Sequence, residues 1–556
     1  MVRRWLRISP WSVAGIAAAL VVALPILSVL ASATIDTRGV WSHLAQTRLM
    51  DYSVNTALLV TGVGAIVLAF GVSTAWLVAM HEFPGRRALA WGLLLPLAVP
   101  TYLSAYAYVD MLQFSGPVQT WLRELVDADP ARWWFPPVRS LAGAGGIIGF
   151  ALLPYVYIAA RVAFHEQSAS MLEASRTLGR GPWATFGRVA LPLARPSIVA
   201  GLALVVMETV AEFGAVHHCA VDTFATGIYR TWIGLESRAA AAQLSALVLI
   251  AMLLFITLEI RARGRRLYHG SARRSARPRR HRLAPVPAAA ALLWCLIPVT
   301  IGFVLPVGYL GLLAWRRGDE GGIERLLDLA GNTVTLGAIA ACCAVVLGLV
   351  VVLSRRVSPG PLTSGSTLCA RIGYAIPGPV VAIGVLTPLA WADHRINDAM
   401  NVMFGPGSGP GLLLTGSIVA VVLGYQTRFL AVTTALLGES LQRIHSSLDD
   451  AGRLLGRSAS STLARVHVPL MWRALAAACL LVFVDVAKEL PVTLMLRPFD
   501  FDTLAVRVFH LASDERLEEA AVPALAIVAI SWLPIMLLMR GARVAGLATQ
   551  PPKAQR

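Results

Sequence analysis

A chain of 556 residues that is 56% hydrophobic and only 14% charged, with mean hydropathy +0.66, is more apolar than soluble domains, where about 45–50% of residues are apolar. This balance excludes a water-soluble globular fold and points to a chain that crosses a membrane several times. The net charge of +17 would suit a nucleic-acid surface in a soluble protein, but here the arginines fall between apolar runs, where they mark one side of a bilayer.

Apolar runs of about 20 residues, enough to cross a hydrocarbon core of about 30 Å, occur in chain order near 11–33, 54–80, 88–113, 141–164, 196–217 and 238–260, then 287–314, 331–354, 367–392, 412–437, 473–494 and 518–540. Backbone polar groups in lipid must be satisfied within the chain, so helices are the expected spanning form. The expectation is an all-α membrane protein with twelve transmembrane helices. Arg3, Arg4 and Arg7 precede the first run as they would a secretory signal, but no small-residue cleavage motif outweighs the spans behind it, so it reads as a retained helix.

If the spans alternate, the basic clusters at 3–7, Arg86–Arg87, 161–195, 261–282, Arg355–Arg356, 443–473 and the C-terminal tail share one side. The positive-inside rule assigns that side, both termini included, to the cytoplasm of a multi-pass cell (inner) membrane protein. The linker 261–286 lacks interleaved aromatics apart from Tyr268, so no nucleic-acid partner is expected.

The six cysteines lack zinc spacing and read as small apolar residues. Cys219 stands beside His217 and His218, but neighbours on a helix point about 100° apart and do not readily share a metal; no metal is assigned and no cofactor is expected.

Features recur at a separation of 277 residues: Asn55–Thr56 with Asn332–Thr333, Pro100 with Pro377, Gly179 with Gly456, Pro192 with Pro469, Glu212 with Glu489, Thr226 with Thr503 and Arg230 with Arg507. Glu173 returns as Asp450 and Glu208 as Asp485. The chain is read as two fused copies: 1–260 with a polar loop at 166–195, the linker 261–286, and 287–556 with a polar loop at 439–472. Six spans per copy make the repeats parallel, unlike the inverted repeats common in secondary transporters, and place a solute path between the halves.

Each polar loop lies between the fourth and fifth spans of its half. EASRTLG, 173–179, and DAGRLLG, 450–456, end in a glycine that can take positive φ and close a helix, and Pro182 suits the first turn of the next. Helix, turn, helix is expected, with a mixed apolar and basic surface suited to docking; the alternative is an ordinary interfacial amphipathic loop.

Glu173, Ala174, Gly179 and Pro192, with Asp450, Ala451, Gly456 and Pro469, resemble the EAA loops of permease subunits of binding-protein-dependent ABC importers. The second loop departs from the pattern by Asp for Glu, Gly452 for the second alanine and a shifted leucine. The resemblance implies a type I permease-like fold, two ATPase (nucleotide-binding) subunits docked on the two loops at the cytoplasmic face, an extracytoplasmic solute-binding protein and surrounding membrane lipid. The stretches METVAEFGAVHHCAVDTFATGIYRTW, 207–232, and VDVAKELPVTLMLRPFDFDTLAVRVF, 484–509, look like the fused permeases of ferric-iron uptake, with thiamine permeases as near relatives.

Glu208 and Glu212 are four apart on the fifth span, hence expected on one helical face, and Asp485 and Glu489 repeat them, with Lys488 beside them. Ionisable groups in a bilayer cost about 2.5–3.5 kcal/mol on insertion scales, so they face a cavity or a partner. They either line a cation path or pair with Lys488, Arg230 or Arg507 to hold the halves together. No HExxH, GxSxG or Walker A pattern occurs, so the chain reads as a transport subunit, not an enzyme, with ATP hydrolysis supplied by partners. An ion-coupled secondary transporter or channel is the alternative of another class.

Overall fold

The computed structural model describes residues 9–37, 39–127, 129–130, 132–167, 169–179, 181–263, 280–317 and 322–547. The N-terminal arginines 3–7 and most of the basic linker lie outside these. Among the described residues, ten helices are long and apolar enough to cross a membrane, or eleven if Arg86–Ala98 and Thr101–Leu125, which meet at 90°, are counted as one broken span; of the twelve expected spans the ninth, 367–392, is not among them.

Two of the twelve expected spans are thus not straight. The third bends at Val99–Pro100, and the ninth divides into Pro361–Ile372 and Gly378–Phe404 around Ile376–Pro377. The cause is the repeated proline. The residue before a proline is pushed out of the helical region, and Val99 (φ −101°, ψ 116°) and Ile376 (φ −88°, ψ 122°) both adopt extended backbone, followed by Pro100 and Pro377 at φ −56°.

The fifth span of each half also breaks. One helix ends at Ala211 and restarts as Gly214–His218; its counterpart ends at Ala487 and restarts as Pro491–Leu496. Both are entered through a π turn at 277-spaced positions, Phe186–Ala190 and Leu463–His467. Pro192 and Pro469 follow these turns, and a proline lacks the N–H that would continue the α pattern and crowds the carbonyl four residues before it, which a wider turn relieves.

The first helix of each half leaves its own half and crosses the other. Pro10–Ser32 packs on 323–357, 361–372 and 378–404 of the second half; Ser12 Oγ donates to Ser358 Oγ at 2.9 Å and Thr427 Oγ1 to the Val21 carbonyl at 3.3 Å. A Cβ on Gly15 would come within 2.3 Å of Ser354 Oγ, so only glycine allows this crossing. Pro285–Arg317 reciprocates on the first half: Tyr108 donates to the Ile301 carbonyl at 2.6 Å, Trp294 Nε1 to Ser73 Oγ at 2.8 Å, and Trp294 stacks on Phe70 at 4.6 Å. The chain reaches this second arm through a two-residue parallel pairing of His281–Arg282 with His81–Glu82.

Beyond the short restarted helices the two halves lose their 277 spacing. Asn55 Nδ2 donates to the Asp222 carbonyl and Asn332 Nδ2 to that of Asp502, while Thr56 Oγ1 accepts the Phe224 N–H and Thr333 Oγ1 that of Leu504. Asp222–Thr223 therefore corresponds to Asp502–Thr503, a separation of 280. The second half carries three extra residues in this turn, and the sequence pairings of Thr226 with Thr503 and Arg230 with Arg507 are out of register.

Candidate functional site: a charged cavity between the halves and two paired loops

The broken helices bring four polypeptide breaks together. A cavity of about 110 Å³ lies between the halves, walled by Pro100, Thr101 and Tyr155 of the first, by Tyr374 and Arg428 of the second, and by all five charges singled out from the sequence, Glu208, Glu212, Asp485, Lys488 and Glu489. Glu208 and Asp485 sit on their helices, but Glu212 does not share a helical face with Glu208. It occupies the break itself with extended backbone (ψ 119°), and Glu489 lies beyond the helix end at Ala487.

Their position in the break explains why these residues are acidic. The Glu212 carboxylate accepts the Ala215 N–H at 2.9 Å, and Glu489 accepts those of Val492 at 3.0 Å and Thr493 at 3.1 Å. Each satisfies N–H groups orphaned at the start of the short helix behind it and puts negative charge at that helix's positive end.

The halves then diverge. Glu489 is buried against Arg428 at 3.3 Å, and Asp485 meets Lys488 at 2.9 Å. In the first half, position 151, which matches Arg428, is alanine, and Ala211 stands where Lys488 would. Glu212 instead receives a hydrogen bond from the Thr101 hydroxyl; Thr101 matches Gly378. Tyr374 of the second half faces Glu208, and Tyr155 faces Tyr374. Four carboxylates thus share the cavity with two cations, and both cations come from one half.

Arg230 and Arg507 do not serve as partners of these acids. Arg230 pairs with Asp222, which also meets Arg48 at 3.4 Å, and Arg507 lines a separate pocket with Arg317, Arg325 and Glu519. The partner missed from sequence is Arg428. It lies mid-helix in a tenth span chosen by hydropathy alone, with no counterpart in the other half to draw attention to it.

His217 packs against Phe213, Tyr229 and Phe509, His218 against Tyr106, and Cys219 is fully buried. Among the described residues no three His, Cys, Asp or Glu side chains converge as a metal site.

At the far end of the fifth spans, both polar loops form the expected helix, turn, helix: Ala169–Thr177 then Pro182–Thr185, and Ser447–Leu454 then Ala459–Thr462. Gly179 (φ 76°) and Gly456 (φ 71°) take the left-handed conformation that closes the first helix. Asp450 meets Arg453 at 3.5 Å, both half-exposed or more. Each turn also exposes a leucine before its glycine, Leu178 at 79% and Leu455 at 76%, beside Trp183 at 85% and Leu454 at 89%. Burying one such side chain is worth about 1.5–3 kcal/mol, so each loop offers an apolar knob to whatever lies against it.

Attachment of the loops differs. Asp449 holds Arg356 at 2.7 Å and His467 at 2.7 Å, and Arg356 also donates to the Leu441 and Ile444 carbonyls. The matching positions 79, 172 and 190 are alanine, leucine and alanine; there Gln167 Nε2 donates to the Ala190 carbonyl at 2.8 Å. Gly452, a departure from the EAA pattern, has a packing reason: a Cβ there would lie 2.7 Å from Thr462 Oγ1. In the first loop Ser175 stands at this position and hydrogen-bonds Thr185 at 3.1 Å.

Residues 67–263 match the family described as the binding-protein-dependent transport system inner membrane component. Over 531 residues, 93% of this chain and 95% of the relative, the sequence is 25% identical to a Fe(3+)-transport system permease protein of Haemophilus influenzae. It is 31% identical over 147 residues to a sulfate transport system permease protein of Escherichia coli, covering 26% of this chain and 50% of the relative. A molybdenum transport system permease protein of the same bacterium is 30% identical over 150 residues, 27% of this chain and 62% of its own length. Residues 67–263 thus carry the inner membrane component of binding-protein-dependent transport, and the chain as a whole is similar to the permease subunits of ABC importers.

Proposed function

We propose that this permease carries ferric iron from an extracytoplasmic binding protein into the cytoplasm, with both termini on the cytoplasmic side and two separate ATPase subunits docked on the loops at 169–185 and 447–462. The observation that carries the choice of solute is the cavity: four carboxylates against two cations leave it formally negative. Such a wall attracts a cation and repels the divalent oxyanions named for the sulfate and molybdenum relatives. The end-to-end likeness to a Fe(3+) permease supports the same choice.

In this reading the acids supply charge without assembling a chelate. Asp485 and Glu489 are held by Lys488 and Arg428, so an entering cation meets a field, not a cage, and can leave; passage requires binding weak enough to release. Closure of the ATPases on ATP would move the loops, and the fifth spans, which run from each loop to its cavity acid, would transmit the movement to Glu212 and Glu489.

The test is uptake of radiolabelled ferric iron by vesicles holding the permease, its ATPase and its binding protein. ATP-dependent iron uptake that excess sulfate and molybdate leave unchanged is expected. Uptake of labelled sulfate or molybdate instead would overturn the substrate, and solute movement without any nucleotide would overturn the importer reading in favour of a channel or ion-coupled carrier.

A further inference from the structure

Four arginines converge at a corner that the transport reading leaves unused. Arg86, Arg87, Arg161 and Arg280 wall an open cavity of about 540 Å³ with Trp91, Ala88 and Ala90. Arg86 and Arg87 open the helix Arg86–Gly92, Arg161 lies on the fourth span, and Arg280 directly precedes the strand His281–Arg282 that leads into the second arm. Among the described residues one carboxylate pairs with them: Glu82 meets Arg86 at 3.0 Å and Arg280 at 4.0 Å. Arg86 is nearly buried and also donates to the Val78 carbonyl at 3.2 Å, and Arg161 donates to the Ala90 carbonyl at 3.0 Å. Partial burial, and then the facing Arg86, Arg161 and Arg87, pull Arg280 below the usual arginine range against the attraction of Glu82.

Like charges gathered this way disfavour the protein alone and call for a polyanion. Two further observations say which kind. First, the corner is absent from the other half: Thr363, Ser364 and Gly438 occupy the positions of Arg86, Arg87 and Arg161, so the shared transport fold does not demand it. Second, the cavity opens where the second arm begins. Leu292 of that arm packs close to Gly85, and on the same helix Val286 is 81% and Leu293 63% exposed. Outward-facing apolar side chains immediately beside a basic cavity offer an acyl surface next to a phosphate site.

We propose that this corner binds the phosphate headgroup of an acidic phospholipid, a diphosphate one such as cardiolipin filling it best, and that the bound lipid clamps the strand at 281–282 onto the first half. The site needs only the membrane-spanning fold; its choice of the cytoplasmic leaflet rests on the orientation proposed above.

Native mass spectrometry of the full chain in neutral detergent, titrated with cardiolipin or phosphatidylcholine, tests it. Cardiolipin is expected to be retained in preference to phosphatidylcholine. Changing the two exposed arginines, Arg87→Gln with Arg280→Gln, should weaken cardiolipin binding about 30-fold and leave phosphatidylcholine unchanged. Equal retention of the two lipids, or a variant that binds cardiolipin as the parent does, overturns the proposal. Displacement of cardiolipin by an equal concentration of inorganic phosphate would reassign the corner to a soluble anion. None of these readouts depends on which solute is carried, so a failure here is distinct from failure of the iron reading.

Discussion

The two halves place the same acids at the same breaks and then neutralise them differently. In the first, Glu212 rests on a hydroxyl, Thr101; in the second, Glu489 rests on a guanidinium, Arg428, and Asp485 on Lys488. The shared part is what the break requires, an acceptor for the N–H groups of a short helix. The unshared part sets the cavity's charge. A duplicated fold thus keeps its architecture through one member of each pair and adjusts its field through the other, which a symmetric pair of halves could not do without doubling the cations.

The largest test of this contrast removes the buried cation. Arg428→Ala leaves Glu489 without its ion-pair partner and is expected to cost about 3–5 kcal/mol, seen as a lowered thermal midpoint of the purified protein and loss of uptake. Thr101→Val removes one hydrogen bond from Glu212 and should cost about 1–3 kcal/mol. Equal losses from the two would break the comparison.

The loops show the same division. Arg356→Ala severs the Asp449 pair and the carbonyl contacts of the second loop, for about 1.5–3 kcal/mol from charged hydrogen bonds; hydrogen exchange should rise in 447–454 and stay unchanged in 169–177. Replacing both Gly179 and Gly456 with valine imposes a left-handed conformation on a β-branched residue, about 1–2 kcal/mol at each turn. Because a Cβ at either glycine would meet nothing within 4 Å, the damage is to the turn alone, and ATP hydrolysis should continue while uptake falls. Uptake equal to the parent in that double variant would remove the loops from the coupling path. The smallest effect is expected from Gly452→Ser. Its Cβ pushes on Thr462 Oγ1, a side-chain end that can rotate to make the bond Ser175 makes with Thr185, so the change should stay near or below about 1 kcal/mol in the thermal midpoint.

Much of the molecule was legible in the chain because its signals are local and repeated. Pro100 with Pro377 and Gly179 with Gly456 act through backbone geometry at their own positions, so sequence spacing found them. What failed was inference across a break. Glu208 and Glu212 at a spacing of four imply one helical face only while the helix continues, and it stops at Ala211. The pairing of Thr226 with Thr503 failed similarly, because a gapless comparison cannot register three residues added in a turn.

The sequence by itself marked a membrane chain of two copies and its paired polar loops, and singled out five charges without deciding whether they line a path or pair with one another, since hydropathy, glycine and proline chemistry and duplication are written along the chain. Only the tertiary structure decided which charges meet. Arg428 reaches Glu489 across 61 positions, the two arms exchange halves, and four arginines from three separate segments close on one corner. Such contacts depend on how helices cross in space, and no periodicity along a single helix encodes that crossing.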